Sequence, residues 1–275
     1  MLNHEMSERR ACELCGMSRS QFKYQSRKTE DPEVIKEILM IKEKHSYYGL
    51  PRVLALLRSK GFTVNGKKVY RILKVMNLLV LRKRRKKKLF ITKPKSTPDA
   101  TRGGDTWAMD FVFDRLKNNE SFRCLTIIDH YTRETPGIFA SRSMAGFSPV
   151  EYLDRLKETV HLPRHIVVDN GPEFANTVFV EWCNRHEIEI HFIDPGKPVQ
   201  NAYVESFNGK FRNEFLDQNK FSSIKEVQRQ LEQWIKHYNE ERPHSSLDFL
   251  TPKEFAKRES AVLDKKNNLL VLKTG

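Results

Sequence analysis

Three acidic residues of this sequence stand where a carboxylate can do chemistry. Asp110 interrupts the apolar run TWAMDFVF, where a buried charge is costly unless it is paired or binds a metal. Asp169 ends the apolar run HIVV just before a Gly-Pro break, and Glu205 lies in the helical pattern QNAYVESFNGKFRNEF. Singly, each has an ordinary alternative: a paired strand Asp, a turn Asp or a solvated helical Glu. Together they predict one catalytic, metal-binding cluster.

Carboxylate oxygens are the ligands that Mg²⁺ prefers, and two such ions can activate an attacking hydroxyl while stabilising the leaving oxygen of an in-line displacement. We therefore expect two Mg²⁺ ions, with Mn²⁺ able to substitute.

The elements that must position these carboxylates alternate in type. Apolar and alternating runs predict three consecutive strands, and then helices and strands in turn, in the order βββαβαβα. This order favours an α/β fold with a mixed five-stranded sheet covered by helices on both faces. The predicted strands are Thr106–Phe113, Arg123–Asp129, Thr135–Ala140, His165–Val168 and Ile188–Ile193, and the predicted helices are 149–160, Phe174–His186, the segment containing Glu205, and Ile224–Asn239.

The positive charge is confined to one part of the chain. Residues 1–100 contain 25 Lys and Arg against 9 Asp and Glu, which is +16, whereas residues 101–275 contain 24 against 26, which is −2. Such segregation favours a polyanion as partner, because basic residues gain affinity by releasing counterions from phosphates. We expect double-stranded DNA.

A small all-α module is predicted within the basic part. Helices are expected near Pro32–His45 and Pro51–Lys60, followed by a third helix capped by Asn65. The third helix separates an apolar face from a basic one, as a recognition helix does. A run of seven cations follows, which suits either a phosphate backbone or a solvated linker. The predicted DNA-binding residues are Lys67, Lys68, Arg71, Lys74, Arg82, Lys83, Arg84, Arg85, Lys86, Lys87 and Lys88, with Lys210 and Arg212 on the Glu205 helix.

The chain ends and the cysteines carry weaker signals. Ser7–Ser26 has the outline of two short helices around Gly16, which fits either a helix-turn-helix or an arm that orders on a partner. Cys12 and Cys15 form a single C-x-x-C pair without a second pair, which is weak support for zinc. We predict a helical arm over 1–30, a helix-turn-helix domain over 31–81, a basic linker over 82–104, a catalytic core over 105–260 and a tail over 261–275.

Several of these segments resemble one family. Between Asp169 and Glu205 lie 35 residues, 170 to 204, which is the spacing of the D,D(35)E signature. The words HSYYGLPRV, NGKKVYRILKVMNL, TIIDHYTRE, DNGPEF, ESFNGKFRNE and YNEERPHSSL resemble the second-reading-frame (OrfB) transposases of bacterial insertion sequences, in the insertion sequence three family. The resemblance covers roughly residues 7–255. It implies a ribonuclease-H-like integrase catalytic core of the DDE superfamily, preceded by a helix-turn-helix module.

The resemblance also implies a function and its partners. The expected activity is metal-dependent DNA strand cleavage and strand transfer at the ends of an insertion sequence, by a homo-oligomer assembled on DNA. The separate first-frame (OrfA) region does not precede the core, so we expect an OrfA partner or a frameshift fusion. The alternatives from other classes are a DNA-binding regulator of the element and a ribonuclease-H-like nuclease that does not join strands.

A membrane location is not expected. No stretch approaches the roughly 18 uncharged apolar residues of a membrane span, and residues 1–10 lack the apolar centre of a signal peptide. The four cysteines are unevenly spaced and suggest reduced thiols. With the resemblance, this predicts a cytoplasmic bacterial protein associated with the nucleoid.

Overall fold

A computed structural model of the chain describes residues 7–23, 31–80, 100–142, 149–194 and 201–262. The predicted basic run Arg82–Lys88 lies outside the described residues, as do most of the predicted linker and tail. Within the described ranges, no helix is long and apolar enough to cross a membrane.

In the described residues of the N-terminal part, 7–23 and 31–80, the regular elements are all helices. Ser18 caps the second short helix and forms the predicted capping box with Gln21. Asp31 and Asn65 cap the first and third helices of the following module, so the starting points predicted for these helices are confirmed. The helices are α1 (Glu8–Leu14), α2 (Arg19–Phe22), α3 (Pro32–Lys44), α4 (Leu50–Ser59) and α5 (Gly66–Val75).

A mixed five-stranded sheet forms the rest of the framework, as predicted. Its strands follow the spatial order β3-β2-β1-β4-β5, in which β1, β2 and β3 are antiparallel and β1, β4 and β5 are parallel. The strands are β1 (Thr106–Arg115), β2 (Ser121–Asp129), β3 (Ile138–Ser141), β4 (His165–Val168) and β5 (Glu189–Phe192).

Helices cover both faces of this sheet because side chains alternate along its strands. Ala108 and Val112 of β1 contribute to one buried cluster, and Trp107 and Met109 to the other. The first cluster includes residues of α8 and α9, and the second includes residues of α6 and α7. The covering elements are α6 (Pro149–Leu156), α7 (Thr177–Arg185), α8 (Ala202–Phe211) with its π-helical continuation Arg212–Leu216, α9 (Ile224–Glu240), and a last helix over 252–262.

Two predicted boundaries are wrong for identifiable reasons. The strand expected from Thr135 begins at Ile138, because the backbone N–H of Thr135 donates to Asn239 Oδ1 rather than to the sheet. The helix expected from Phe174 begins at Thr177, because Asn176 caps it by accepting a hydrogen bond from the backbone N–H of Phe179. In both places a polar side chain takes a backbone bond that apolar periodicity does not reveal.

The helical module packs directly against the sheet domain. Glu214, on the π-helical segment, accepts two hydrogen bonds from Arg242, at 2.6 and 2.7 Å, and one from Arg52 of α4, at 3.0 Å. Tyr48 Oη lies 3.1 Å from His237 Nε2 at the same interface. Arg242 is only 1% exposed, so this ion cluster is part of the interior. Residues about 160 positions apart in sequence therefore hold the two parts together.

Candidate active site

Asp110 and Asp169 lie on neighbouring parallel strands. Ala108 of β1 pairs with Val167 of β4. Asp110 and Asp169 each stand two residues further along, so the same register brings them level on one face of the sheet. Both side chains are half-buried. The carboxyl end of β4 thus lies beside the middle of β1, where the apolar run is interrupted.

Glu205 approaches this face on α8. Val204, Phe207 and Phe211 bury the apolar side of the helix in the cluster shared with β1 and β2. Asn208, one turn after Glu205, donates a hydrogen bond from Nδ2 to Asp110 Oδ2 at 2.8 Å. Because residues three apart are neighbours on a helix surface, this bond holds the Glu205 turn over Asp110.

Each strand carboxylate is fixed by its own contacts. Asp110 Oδ1 accepts a hydrogen bond from the backbone N–H of Phe111 at 2.7 Å. Thr126, which pairs with Asp110 across β1 and β2, donates to Asn208 Oδ1 at 2.8 Å and so orients the amide that reaches Asp110. Asp169 Oδ1 accepts from the backbone N–H of Gly171 at 3.0 Å.

Gly171 allows two carboxylates to approach its backbone. A Cβ at this position would lie 2.9 Å from Asp169 Oδ1 and 3.0 Å from Glu173 Oε2, so a larger residue would push these side chains aside. Glu173 forms an ion pair with Arg123, whose Nη1 lies 2.8 Å from Glu173 Oε1. Asn170 turns away and donates to the backbone oxygen of Ile193 at 2.7 Å. The turn after β4 therefore gathers two carboxylates and ties them to the next strand.

The pKa of Asp110 reflects its burial and the carboxylates near it. Burial, with smaller contributions from the negative charges of Asp169 and Glu205, raises the pKa of Asp110 to about 6, although hydrogen bonds from Phe111 and Asn208 oppose the rise. None of the three carboxylates forms an ion pair with a Lys or Arg of the described residues. Neighbouring acidic groups without a compensating cation are suited to bind one.

The donor set fits a pair of hard divalent cations. The ligand oxygens of Asp110, Asp169 and Glu205 are not all within 4.8 Å of one another, since among the described residues only a different cluster meets that limit. One ion held by all three would therefore require side-chain movement, whereas two ions roughly 3.5–4 Å apart can share these ligands. Carboxylate oxygens are also the donors that Mg²⁺ and Mn²⁺ take.

The residues predicted to contact DNA have different surroundings. Lys67 and Lys74 of α5 are exposed, Arg71 is half-buried, and Lys68 lies 3.8 Å from Asp31. The buried face of α5 contains Val69, Ile72 and Leu73, as its periodicity predicts. The basic face of this helix is therefore directed away from the core of the module.

Two further predicted contacts lie on the Glu205 helix and its continuation. Burial lowers the pKa of Lys210 to about 8, and the charges of Arg242 and Arg52 add to this effect while Glu214 opposes it. Arg212 donates to the backbone oxygen of Phe113 at 2.6 Å. Sequence reasoning missed both Thr126 and the interdomain role of Glu214. The strand register opposite Asp110 was the signal that could have identified Thr126.

Three family models match this chain. An HTH-like domain matches residues 29–87, and two integrase core domain models match residues 100–198 and 186–252. The first therefore covers α3 to α5, and the other two cover the sheet, α8 and α9.

The chain is also similar to proteins of bacterial insertion elements. It is 40% identical over 258 residues to the uncharacterized 39.2 kDa protein of insertion element IS476 from Xanthomonas euvesicatoria, covering 93% of this chain and 74% of that protein. It is 35% identical to the uncharacterized 31.7 kDa protein of IS407 from Burkholderia multivorans, covering 94% of each. Its identity to the transposase of IS904 from Lactococcus lactis is 25%, over 85% of this chain and 99% of that one.

Sheet order, flanking helices, family matches and relatives agree on one assignment. The chain has a ribonuclease-H-like integrase core with an N-terminal HTH-like domain. It belongs to the OrfB-type transposases of bacterial insertion sequences, the insertion sequence three family of the DDE superfamily.

Proposed function

We propose that this transposase cuts and joins DNA strands at a site formed by Asp110, Asp169 and Glu205, which would hold two Mg²⁺ ions. One observation carries the proposal: Asp110 and Asp169 stand level on neighbouring strands, and the hydrogen bond from Asn208 to Asp110 holds the Glu205 turn of α8 beside them. Such a site is costly to ionise without a bound cation, and it becomes favourable once cations neutralise it. Mn²⁺ has the same oxygen preference and can replace Mg²⁺.

When bound, the two ions would polarise the attacking hydroxyl and neutralise the developing charge on the leaving oxygen. The protein's part is to present ionised ligands in fixed positions. Asp110 must lose its proton, while Asn208 and the Phe111 backbone hold its two oxygens apart. The backbone N–H of Gly171 donates a hydrogen bond to Asp169 and holds it in place. The packing of the buried face of α8 against the sheet positions Glu205. Water and a 3′ hydroxyl then serve as alternative nucleophiles at one centre.

The partner in this proposal is double-stranded DNA, both at the element ends and at the target. Residues 31–81 would bind DNA with α5 in a groove, with further phosphate contacts from the run Arg82–Lys88 and from Arg212. Lys210 would contribute only if its half-buried ammonium becomes accessible on DNA binding. We further propose a homo-oligomer on DNA, an OrfA partner or fusion, and a place of action at the nucleoid in the cytoplasm. Residues 105–260 would form the catalytic unit.

The test is a cleavage and joining assay with purified full-length protein. The substrate is a duplex carrying the inverted repeats that flank the gene, incubated with Mg²⁺. Glu205→Gln keeps the side-chain size but removes a ligand charge, and should lower both activities by orders of magnitude while leaving DNA binding intact. Glu181→Gln, on the exposed side of α7, is the matched control and should remain active. Cleavage without joining by the wild type would favour the nuclease alternative, and binding without either activity would favour the regulator.

A further inference from the structure

A second group of ligating side chains lies at the opposite end of β4 from Asp169. His165 begins β4 and pairs with Glu189, which begins β5, and His191 follows two residues later on the same face as Glu189. His165 Nδ1 is 3.1 Å from His191 Nε2. Glu189 reaches both rings, at 3.3 Å from His165 Nδ1 and 3.4 Å from His191 Nε2. Within the described ranges, it is the one trio of such residues whose ligand atoms all lie within 4.8 Å.

Hydrogen bonds alone do not satisfy all the polar atoms of this cluster. If both imidazoles are neutral, a single proton can occupy the space between the two facing nitrogens, and the carboxylate then faces a nitrogen lone pair.

The distances match those of a tetrahedral metal centre. Bonds of about 2.0–2.1 Å at the tetrahedral angle separate two ligand atoms by roughly 3.3 Å. The two ring nitrogens are 3.1 Å apart, and each lies near a different Glu189 oxygen, Oε2 at 3.3 Å from His165 Nδ1 and Oε1 at 3.4 Å from His191 Nε2. Little rearrangement is then needed for one ion to take the place of the proton. Two imidazoles and one carboxylate also form a donor set suited to Zn²⁺ rather than to Mg²⁺.

We propose that His165, Glu189 and His191 bind one Zn²⁺ ion that joins β4 to the edge strand β5. The fourth position would be open to water, because the Glu189 side chain is 65% exposed. The site would be separate from the proposed magnesium site, since His165 and Asp169 are four residues apart on an extended strand, or roughly 13 Å. Its role would be to stabilise the sheet edge, because β5 is the last strand in the described sheet, where β4 is its one neighbour.

The proposed zinc site is connected through β5 to the turn that carries Asp169. Beyond the carboxyl end of β5, the backbone oxygen of Ile193 accepts the hydrogen bond from Asn170. An ion that fixes the start of β5 would therefore steady the strand on which that turn rests. This effect would be on stability, and it does not depend on the ion taking part in strand transfer.

The experiment is a zinc titration of the metal-stripped, full-length protein against a chromogenic zinc chelator, with excess Mg²⁺ present to occupy the other carboxylates. The wild type should bind one equivalent of Zn²⁺ and gain thermal stability from it. His165→Gln and His191→Gln should each weaken binding at least a hundredfold, and Glu189→Gln about tenfold. The exposed His161 is the matched control, and His161→Gln should bind like the wild type.

Two results would overturn the proposal. One is a wild-type protein that takes up no zinc equivalent at micromolar free Zn²⁺. The other is an equivalent that persists with unchanged affinity in both His165→Gln and His191→Gln, which would place the ion elsewhere. Glu189 is exposed, so Glu189→Gln gives a reading even if the histidine variants fold poorly. None of these readouts involves DNA, so the zinc site and the strand-transfer function fail independently.

Discussion

Replacing Glu214 by Gln should destabilise the whole chain, because this carboxylate neutralises two arginines between the helical module and the catalytic core. Its side chain is 5% exposed, and that of Arg242 only 1%. Removing one partner of a buried pair leaves an uncompensated charge and typically costs about 3–5 kcal/mol. Gln retains one acceptor oxygen, so we expect a loss near the lower limit, about 3 kcal/mol.

The loss is measurable by urea unfolding followed by tryptophan fluorescence. All three tryptophans, Trp107, Trp182 and Trp234, lie in the catalytic core. With a urea dependence of about 2–3 kcal/mol per molar, the unfolding midpoint should fall by roughly 1–1.5 M. Glu240→Gln, at the end of α9, is the control, because Glu240 pairs with Lys253 at the surface and its loss should leave the midpoint nearly unchanged.

Arg52→Met separates docking from core stability. It removes the 3.0 Å bond across the interface but leaves the Arg242 pair in place. The core transition seen by fluorescence should then shift by no more than about 1–2 kcal/mol. The helical module, followed by circular dichroism, should unfold at lower urea than the core.

The effect has a defined pH dependence. Burial opposes the ionisation of Glu214, but the hydrogen bonds and charge of Arg242, with the charge of Arg52, outweigh it and lower the pKa of Glu214. A depressed carboxyl pKa gives stability that is present above the unfolded-state value and is lost as pH falls through the folded-state value. The difference between wild type and Glu214→Gln should therefore be constant near neutral pH and shrink in acid. Equal unfolding midpoints for the two proteins at pH 7 would refute the reasoning.

Three further predictions concern the site and the DNA. Because the pKa of Asp110 is raised to about 6, Mg²⁺ binding measured by calorimetry below pH 6 should release a proton and weaken about tenfold per pH unit, whereas near neutral pH it should release little. Affinity that does not depend on pH in this range would contradict the expectation. Asn208→Leu should lower the rate of strand transfer about 10- to 100-fold at unchanged DNA affinity, because Asp110 loses the amide that orients it. Asn213 is exposed, and the control Asn213→Leu should have little effect. Neutralising Arg82–Lys88 in the full chain should make the slope of log affinity against log salt concentration, measured by anisotropy, shallower by about 0.9 per lost phosphate contact. Lys236→Gln, on the exposed side of α9, is the control. An unchanged slope would mean that the run serves only as a linker.

Local patterns in the sequence were sufficient for most of the framework. Apolar runs located all five strands, and the range predicted for β4, His165–Val168, matches the structure. Capping residues located the starts of α3 and α5, because a side-chain acceptor before an apolar period is a local signal. Asp110 and Asp169 were recognisable because a charged side chain inside or at the end of an apolar strand is costly unless it is paired or binds a metal.

Features that depend on register and docking could not be read from the sequence. Thr126 is opposite Asp110 only because β1 and β2 pair in one particular register. The cluster of His165, Glu189 and His191 likewise needs the parallel pairing of β4 with β5. Lys210 was predicted as a phosphate contact on an exposed helix, but burial on this side follows from the docking of the helical module and from the π-helical continuation. Periodicity identifies an apolar face, and it does not say which distant polar groups will meet.

The most direct test of the metal site is a crystal of the full-length protein soaked in Mn²⁺, with anomalous diffraction measured at the manganese edge. We predict anomalous peaks contacting the carboxylates of Asp110, Asp169 and Glu205, two when a DNA end is bound. The same peaks should be absent from crystals of Asp169→Asn. Manganese bound elsewhere, with these three side chains directed to different sides of the sheet, would contradict the proposed mechanism.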